Sequence, residues 1–307
     1  MFSLPEVAPI EHKQDREVLI DADVVAYYSA FGLDDTGFGA VATKCDIRMQ
    51  QIIDETSAGK HRAFLTGEKN FRNGVATLQR YKGNRYDENG VRIKPQPEWL
   101  PEARQYLVDN WGAVICENEE ADDALSYTQA ENIKLYGTEN SVISTVDKDL
   151  LINPGLHHSM SSGYMQEVQE EGTLFLDSKG TVRGTGMRFF FAQMLMGDSA
   201  DWIPGLPKIT PAIKENIPTE NNLRNGGCGP KAALNILADC ETIQDMHDKV
   251  YACYLLYWGE HSYKHWRTGE EFPAGVETAN KQFIEQGRLL WMRRSPQQIW
   301  TPLFPLR

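Results

Sequence analysis

Short apolar runs that end in acidic residues recur along this chain, and that pattern limits its fold more than any other feature. Val18–Leu19–Ile20 runs into Asp21, and Arg62 to Thr66 precedes Glu68. Ala113 to Cys116 leads into Glu120, Asp122 and Asp123, and Ser141 to Val146 ends at Asp147 and Asp149. Runs this short, rich in β-branched residues and free of breakers, read as buried strands rather than helices. Helical spacing separates them, over Val24–Phe31 and again over Ile47–Ile53. Strands alternating with helices predict an α/β fold with a central, mostly parallel sheet flanked by helices. In such sheets ligands collect beyond the carboxyl ends of the strands. Those are the places where the acids fall.

Asp198 and Asp201, in Met196–Gly–Asp–Ser–Ala–Asp–Trp–Ile203, complete a ladder of nine carboxylates. Residues three apart share a helix face, which pairs Glu120 with Asp123 and Asp198 with Asp201. Asp147 and Asp149, two apart past a strand, point the same way. Two like charges about 4 Å apart repel by about 4 kcal/mol at an effective dielectric near 20. Several such pairs call for divalent cations, so the ladder predicts a site for more than one Mg²⁺. For any single acid the ordinary reading is helix capping; the argument rests on the set.

Charge sharpens this. The 307-residue chain carries a formal net charge of −12, and the nine ladder acids account for most of it. Between Lys60 and Lys94, nine Lys and Arg face three acids. A basic arm beside acids suits a polyanion steered toward metal ions. The five cysteines form no Cys-x-x-Cys pair, so reduced thiols are expected rather than a disulfide frame. No apolar run is long enough to span a bilayer, and the first residues lack the pattern of a secretory signal. A cytoplasmic protein with no membrane partner is expected.

Other patterns are weaker alone. Gly227–Cys–Gly229–Pro–Lys231 opens a helix-like stretch, Lys231–Ala238, and can hold a phosphate on backbone N–H groups, or it is a plain helix start. Asn70–Phe–Arg72 through Tyr81–Lys82–Gly–Asn–Arg85 interleaves cations with aromatics, as a single-strand clamp does; a solvated loop is the competing reading. Residues 81–101, rich in Gly, Asn, Pro and charge, read as a loop or arch. Met187–Met196 and Ile243–Tyr257 read as helices, and His157–His158 as loop. His261 and His265 are one helical turn apart, a spacing that permits metal binding but more often marks packing or surface histidines. The apolar end, Gln297–Gln–Ile–Trp–Thr–Pro–Leu–Phe304, is expected to fold back on the protein's own core.

Taken in order, Glu120–Ala–Asp–Asp123, Ser144–Thr–x–Asp–x–Asp149, Gly197–Asp–x–x–Asp–x–Ile–x–Gly205 and Gly229–x–Lys–x–Ala233, with Tyr81–Lys–Gly–Asn–Arg85, resemble the structure-specific 5′ nucleases. That superfamily spans flap endonucleases, the 5′-nuclease domain of bacterial DNA polymerase I and phage 5′→3′ exonucleases. The resemblance covers residues 17 to 240 and is nearest to the exonucleases of short-tailed phages. It implies a PIN-like nuclease core over 1–184 with an arch at about 70–112. It further implies a helix–three-turn–helix duplex-binding region over 185–260, interrupted by an insertion at 208–226, and a C-terminal extension over 261–307.

By resemblance, Asp21, Glu120, Asp122 and Asp123 hold one Mg²⁺, and Asp147, Asp149, Asp198 and Asp201 hold the second, with Mn²⁺ able to substitute. Glu68 stands where the family usually has Asp, Ala22 replaces a usual Gly, and Asp23 is an additional acid. Lys82 and Arg85 contact the scissile phosphate as the catalytic cations. Tyr27 stacks on the terminal base, and Arg72, Tyr81, Gly227, Gly229 and Lys231 bind DNA, with a K⁺ at the helix–three-turn–helix element.

The implied activity is Mg²⁺-dependent 5′→3′ exodeoxyribonuclease action, with flap-endonuclease and RNase H-type cleavage leaving 5′-phosphates. Partners are duplex DNA with a free 5′ end or flap, RNA–DNA hybrid and replication proteins. The setting is phage DNA replication, primer removal and host DNA degradation in the host cytoplasm. The alternatives are a PIN-type ribonuclease and a non-catalytic DNA-end-binding accessory protein.

Overall fold

The computed structural model describes residues 12–206 and 228–306. Gly227 and the expected insertion at 208–226 lie outside them. In chain order the elements begin with β1 (Lys13–Asp21), α1 (Ala22–Ala30), α2 (Phe38–Glu55), β2 (Ala58–Thr66), α3 (Arg72–Val75), α4 (Leu100–Trp111) and β3 (Val114–Cys116). They continue with α5 (Ala121–Tyr136), β4 (Ser141–Thr145), β5 (Gly155–Ser159), β6 (Met165–Val168), β7 (Leu174–Leu176), β8 (Val182–Gly184) and α6 (Gly186–Met196). Last come α7 (Pro230–Leu237), α8 (Ile243–Trp258), β9 (Tyr263–Lys264), β10 (Glu271–Phe272) and α9 (Val276–Leu290). The chain forms two compact units.

The first unit comprises Met1–Gly67, Gln96–Val146 and Gly155–Glu167. Its sheet has the order β3-β2-β1-β4-β5-β6. The pairs β2–β3, β1–β2, β1–β4 and β4–β5 are all parallel. This is the mostly parallel, helix-flanked architecture expected from the sequence. The central strand β1 buries Val18, Leu19 and Ile20 completely. A strand covered on both faces must be apolar at every position, which is why this run does not alternate. Val25 and Ala26 of α1, Val41 and Met49 of α2, Leu65 of β2 and Leu107 of α4 share its core.

His157 and His158 are not loop residues, as their polar character implied, but buried members of β5. His158 is accommodated because Ser144 meets its Nδ1 at 2.8 Å and Glu55 lies 3.0 Å from its Nε2. Burial holds its pKa below the ordinary 6.5 even with Glu55 alongside.

The second unit comprises Glu68–Pro95, Asp147–Pro154 and Val168–Arg307. Its core is aromatic: Phe189, Phe190 and Phe191 of α6, Tyr254 and Trp258 of α8 and Phe283 of α9 are all fully buried or nearly so. Tyr254 donates its hydroxyl to the Met194 carbonyl at 2.7 Å, so its polar end is satisfied in the interior. Trp300 of the C-terminal tail is buried beside Phe190 and Phe283, each 5.7 Å away between ring centroids. The tail does fold back on its own core. His261 and His265 do not share a helix, because α8 is capped at Gly259 and β9 follows. His261 instead stacks on Tyr257 at 4.4 Å.

Residues 72–78 are pinned by the C-terminal part of this unit. Arg72 donates to the carbonyls of Leu289 (3.0 Å) and Trp291 (2.8 Å). Glu285 accepts from the backbone N–H groups of Thr77 (2.8 Å) and Leu78 (3.0 Å). Trp266 donates its indole N–H to the Ala76 carbonyl at 2.9 Å. Tyr81, Lys82 and Arg85 follow directly, so the stretch 261–292 acts as a platform for the base of the expected arch.

Candidate functional site

In the first unit the acids sit where β1 and β3 hand over to helices. Asp21 caps α1: its Oδ1 accepts from Val24 N at 3.3 Å, and its Oδ2 accepts the Thr145 hydroxyl at 2.8 Å. Glu120 and Asp123 form a reciprocal capping box at the start of α5. Asp122 is half-buried between them in sequence. The ordinary capping role is therefore realised for Asp21, Glu120 and Asp123, each of them buried. Cys116 records the resulting field. Its thiol is pushed up to about 12, first by burial and then by Glu119, Asp123 and Asp122.

In the second unit, Asp147 caps the 3₁₀ turn Lys148–Ile152 and accepts from Asp149 N at 2.8 Å. Lys148 places its ammonium 2.6 Å from Asp149 Oδ1 and 2.6 Å from Asp198 Oδ2. Gln193 donates to Asp149 Oδ1 at 2.6 Å. The Gly197–Gly205 motif has a structural cause. Asp198 and Ile203 exchange backbone hydrogen bonds of 2.8 and 2.7 Å, closing a tight turn. A Cβ on Gly197 would lie 2.2 Å from the Ile203 carbonyl, and its φ of +71° favours glycine. That turn sets out Asp198 and Asp201. Asp201 accepts the Tyr81 hydroxyl at 2.7 Å and pairs with Arg85 at 3.0 Å and Lys82 at 3.5 Å. Glu68 is exposed.

Electrostatics in this cluster follow from burial and crowding. Asp149 is pushed up to about 8 by burial and then by Asp147. Asp147 is also raised, again chiefly by burial. Asp198 resists its own burial and stays below the ordinary carboxylate value because Lys148 lies against it.

Solved structures share this architecture. One, of T5 5′-exonuclease with bound divalent metal ions (zinc), is 16% identical with a TM-score of 0.55, covering 90% of this chain and 89% of that one. The chain has the fold of a phage 5′-exonuclease. A second match is the bacteriophage T5 D15 flap endonuclease, in a pseudo-enzyme-product complex with DNA and metal ions, at 16% identity and a TM-score of 0.47 over 90% of this chain and 99% of that chain. No family model and no curated protein matches the sequence. The resemblance carried by the sequence motifs is thus also one of fold.

Among the described residues, no group of three or more His, Cys, Asp or Glu is placed to hold a metal as it stands. Within each unit, backbone N–H donors and internal cations meet the carboxylates. The donors nevertheless fit a hard divalent ion, being carboxylate oxygens throughout, and the Lys148 ammonium stands between Asp149 and Asp198 as a stand-in positive charge.

Sequence reasoning missed Lys148 and Gln193. Their signals were a lysine between two ladder acids and a lone glutamine in the otherwise apolar run Phe189–Met196 of α6. We expect Lys148→Met to bind Mn²⁺ several-fold more tightly by calorimetry, since the resident competitor is gone. It should also melt lower in EDTA, because Asp149 and Asp198 then face each other uncompensated.

The expected DNA contacts are placed unevenly. Tyr27 is 46% exposed and stacks on Phe31 at 5.9 Å. Lys231 is exposed at the first turn of α7, while Gly229 is that helix's N-cap. Pro230 follows it, so one of the N–H groups expected to meet a phosphate does not exist. Arg72 is fully buried and cannot touch a phosphate in this structure. A guanidinium taken from water must satisfy its donors, and here backbone carbonyls do so. Tyr81 is 5% exposed, with its hydroxyl committed to Asp201.

Proposed function

We propose that this protein is a Mg²⁺-dependent 5′→3′ exodeoxyribonuclease with flap-endonuclease and RNase H-type activity, leaving 5′-phosphates. The observation that carries this reading is the pair of buried carboxylates, Asp149 and Asp198, closed on the Lys148 ammonium within a 5′-exonuclease fold. Asp21, Glu120, Asp122 and Asp123 are assigned to one ion. Asp147, Asp149, Asp198 and Asp201 are assigned to the other, with Glu68 contributing at longer reach and Mn²⁺ substituting for Mg²⁺. Bound Mg²⁺ lowers the pKa of water and neutralises charge on the phosphoryl group.

The chain's own residues do the rest. Lys82 and Arg85 share Asp201 at rest, and a phosphate draws them to its non-bridging oxygens, where charge accumulates. Tyr27 offers an exposed ring for stacking a terminal base. Gly229 and Lys231, with Gly227 outside the described residues, grip duplex phosphates, with a K⁺ ion nearby. The substrates are duplex DNA with a 5′ end or flap and RNA–DNA hybrid. The setting is phage replication, primer removal and host DNA degradation in the cytoplasm, alongside replication proteins.

One digest tests the reading. 5′-labelled flap and duplex DNA, and single-stranded RNA, are incubated with Mg²⁺ or EDTA. Rapid release from the 5′ ends of DNA, abolished by EDTA, is expected. Cleavage of RNA alone indicates a PIN-type ribonuclease, and binding without cleavage a DNA-end accessory protein. Lys82→Ala is expected to cut about 100-fold or more slowly, the scale of one lost transition-state donor. A parental rate would remove Lys82 from the catalytic role.

A further inference from the structure

Asp23, two residues after Asp21 at the start of α1, is an acid that the ladder does not use, and it has its own cation. Arg104, from α4, reaches Asp23 Oδ1 with one guanidinium nitrogen and the Thr66 carbonyl with the other. Thr66 N donates to Asp23 Oδ2 at 2.8 Å. The Thr66 hydroxyl accepts from Ala121 N at 3.0 Å, at the first residue of α5. Arg104 thereby ties together the start of α1, the carboxyl end of β2 and the start of α5. Two of those starts bear Asp21 and the Glu120–Asp123 group. Arg104 is largely withdrawn from solvent, its side chain 29% exposed and that of Asp23 30%. Burial also lowers the guanidinium's pKa without coming near to discharging it.

We infer that Arg104 is a positioning residue for the first metal-binding acid group, and that Asp23 is its resident counter-anion rather than a metal ligand. This rests on the nuclease reading above. The physical argument is one of charge. An additional carboxylate two residues from Asp21 would add to the repulsion among Asp21, Glu120, Asp122 and Asp123 and draw a cation toward itself. Paired with Arg104, and with both oxygens accepting hydrogen bonds, Asp23 contributes no net charge and has a fixed direction. The planar fork of arginine suits this, since it serves a carboxylate and a carbonyl at once.

Calorimetric titration of the full chain with Mn²⁺ in the absence of DNA tests the inference, alongside turnover on labelled flap DNA. Asp23→Asn leaves the Arg104 charge unbalanced beside the acids, so Mn²⁺ should bind only several-fold more weakly than to the parent, because no ligand is lost. A tenfold or greater weakening would make Asp23 a ligand and overturn the proposal. Arg104→Met frees the Asp23 charge beside the acids. We expect Mn²⁺ to bind several-fold more tightly while kcat falls at least tenfold, a split that general loosening of the fold does not give. The double variant Asp23→Asn/Arg104→Met should return the Mn²⁺ constant toward the parental value. Parallel loss of binding and turnover in Arg104→Met, or no change in either, overturns the assignment. Arg104→Gln, which keeps donors but not charge, gives the same split if the Met variant does not fold. A parent that binds no Mn²⁺ would instead sink the nuclease reading and this inference with it.

Discussion

Replacing Asp149 with asparagine is expected to abolish Mg²⁺-dependent cleavage and, at the same time, to make the metal-free protein more resistant to heat. The first effect is the loss of a carboxylate assigned to the second ion. It should be about 1000-fold or more, equivalent to several kcal/mol of charge stabilisation. The second follows from the pKa of about 8 at Asp149, imposed by burial and by Asp147.

An acid whose folded-state pKa is raised keeps its proton in the native state over a range where the unfolded chain has lost it. The native state therefore binds more protons between about pH 4 and pH 8, and stability falls as pH rises through that window. Asparagine removes the ionisation while preserving shape. In EDTA at pH 8 the variant should melt several degrees above the parent, at about 2–4 °C per kcal/mol for a unit this size. At pH 4 the two should melt together. Melting curves in EDTA at both pH values, beside a cleavage assay in Mg²⁺, measure both effects. A variant that cuts normally, or one that gains nothing at pH 8, contradicts the argument. Active-site acids that cost stability until an ion arrives are the expected form of a stability–activity trade-off.

The second large effect concerns Arg72. Its guanidinium is fully buried and holds the Leu289 and Trp291 carbonyls. Arg72→Ala leaves those acceptors without their charged donor and opens a void. Hydrogen bonds to a charged group contribute about 1.5–3 kcal/mol each, so a loss of about 3–5 kcal/mol is expected. Chemical denaturation should show it as a lower midpoint with unchanged slope. DNA affinity of the folded fraction, and its dependence on salt, should not change. A residue that contacts phosphate would reduce the salt slope by about one unit. Cleavage should nevertheless slow, because the 72–78 segment that leads to Lys82 loses an anchor.

Arg72 also marks the boundary of what a sequence can convey. Its neighbourhood of cations and aromatics, Phe71 through Arg85, has the composition of a nucleic-acid clamp. Within it, Lys82 is set to stay half-buried against Asp201 and Arg72 to become an internal strut. That difference is made by two carbonyls more than two hundred residues away in the chain. Local composition contains no trace of them. The pair His157–His158 shows the same thing: both look like loop, yet both are buried in a strand, and His158 finds its partners in Ser144 and Glu55.

The strands β1 to β4 and the helices α1, α2, α5, α6, α7 and α8 were legible because each is specified locally. Val18–Leu19–Ile20 has no other way to avoid water on two faces. Glu120 and Asp123 stand three apart and cap the helix they begin. Hydrophobic period and capping chemistry act over a few residues, so they survive in the sequence as pattern. The ladder of acids at element ends is legible for the same reason, since each acid is fixed by its own element.

Which cation answers each acid was left to tertiary structure. Lys148 stands between Asp149 and Asp198, Lys82 and Arg85 share Asp201, and Arg104 meets Asp23. Charge pairing acts through space, and chain separation does not enter Coulomb's law. The sequence by itself therefore determined the parallel sheet and the rungs of the ladder. Only the fold decided which rungs are countered from within and which buried polar groups are structural.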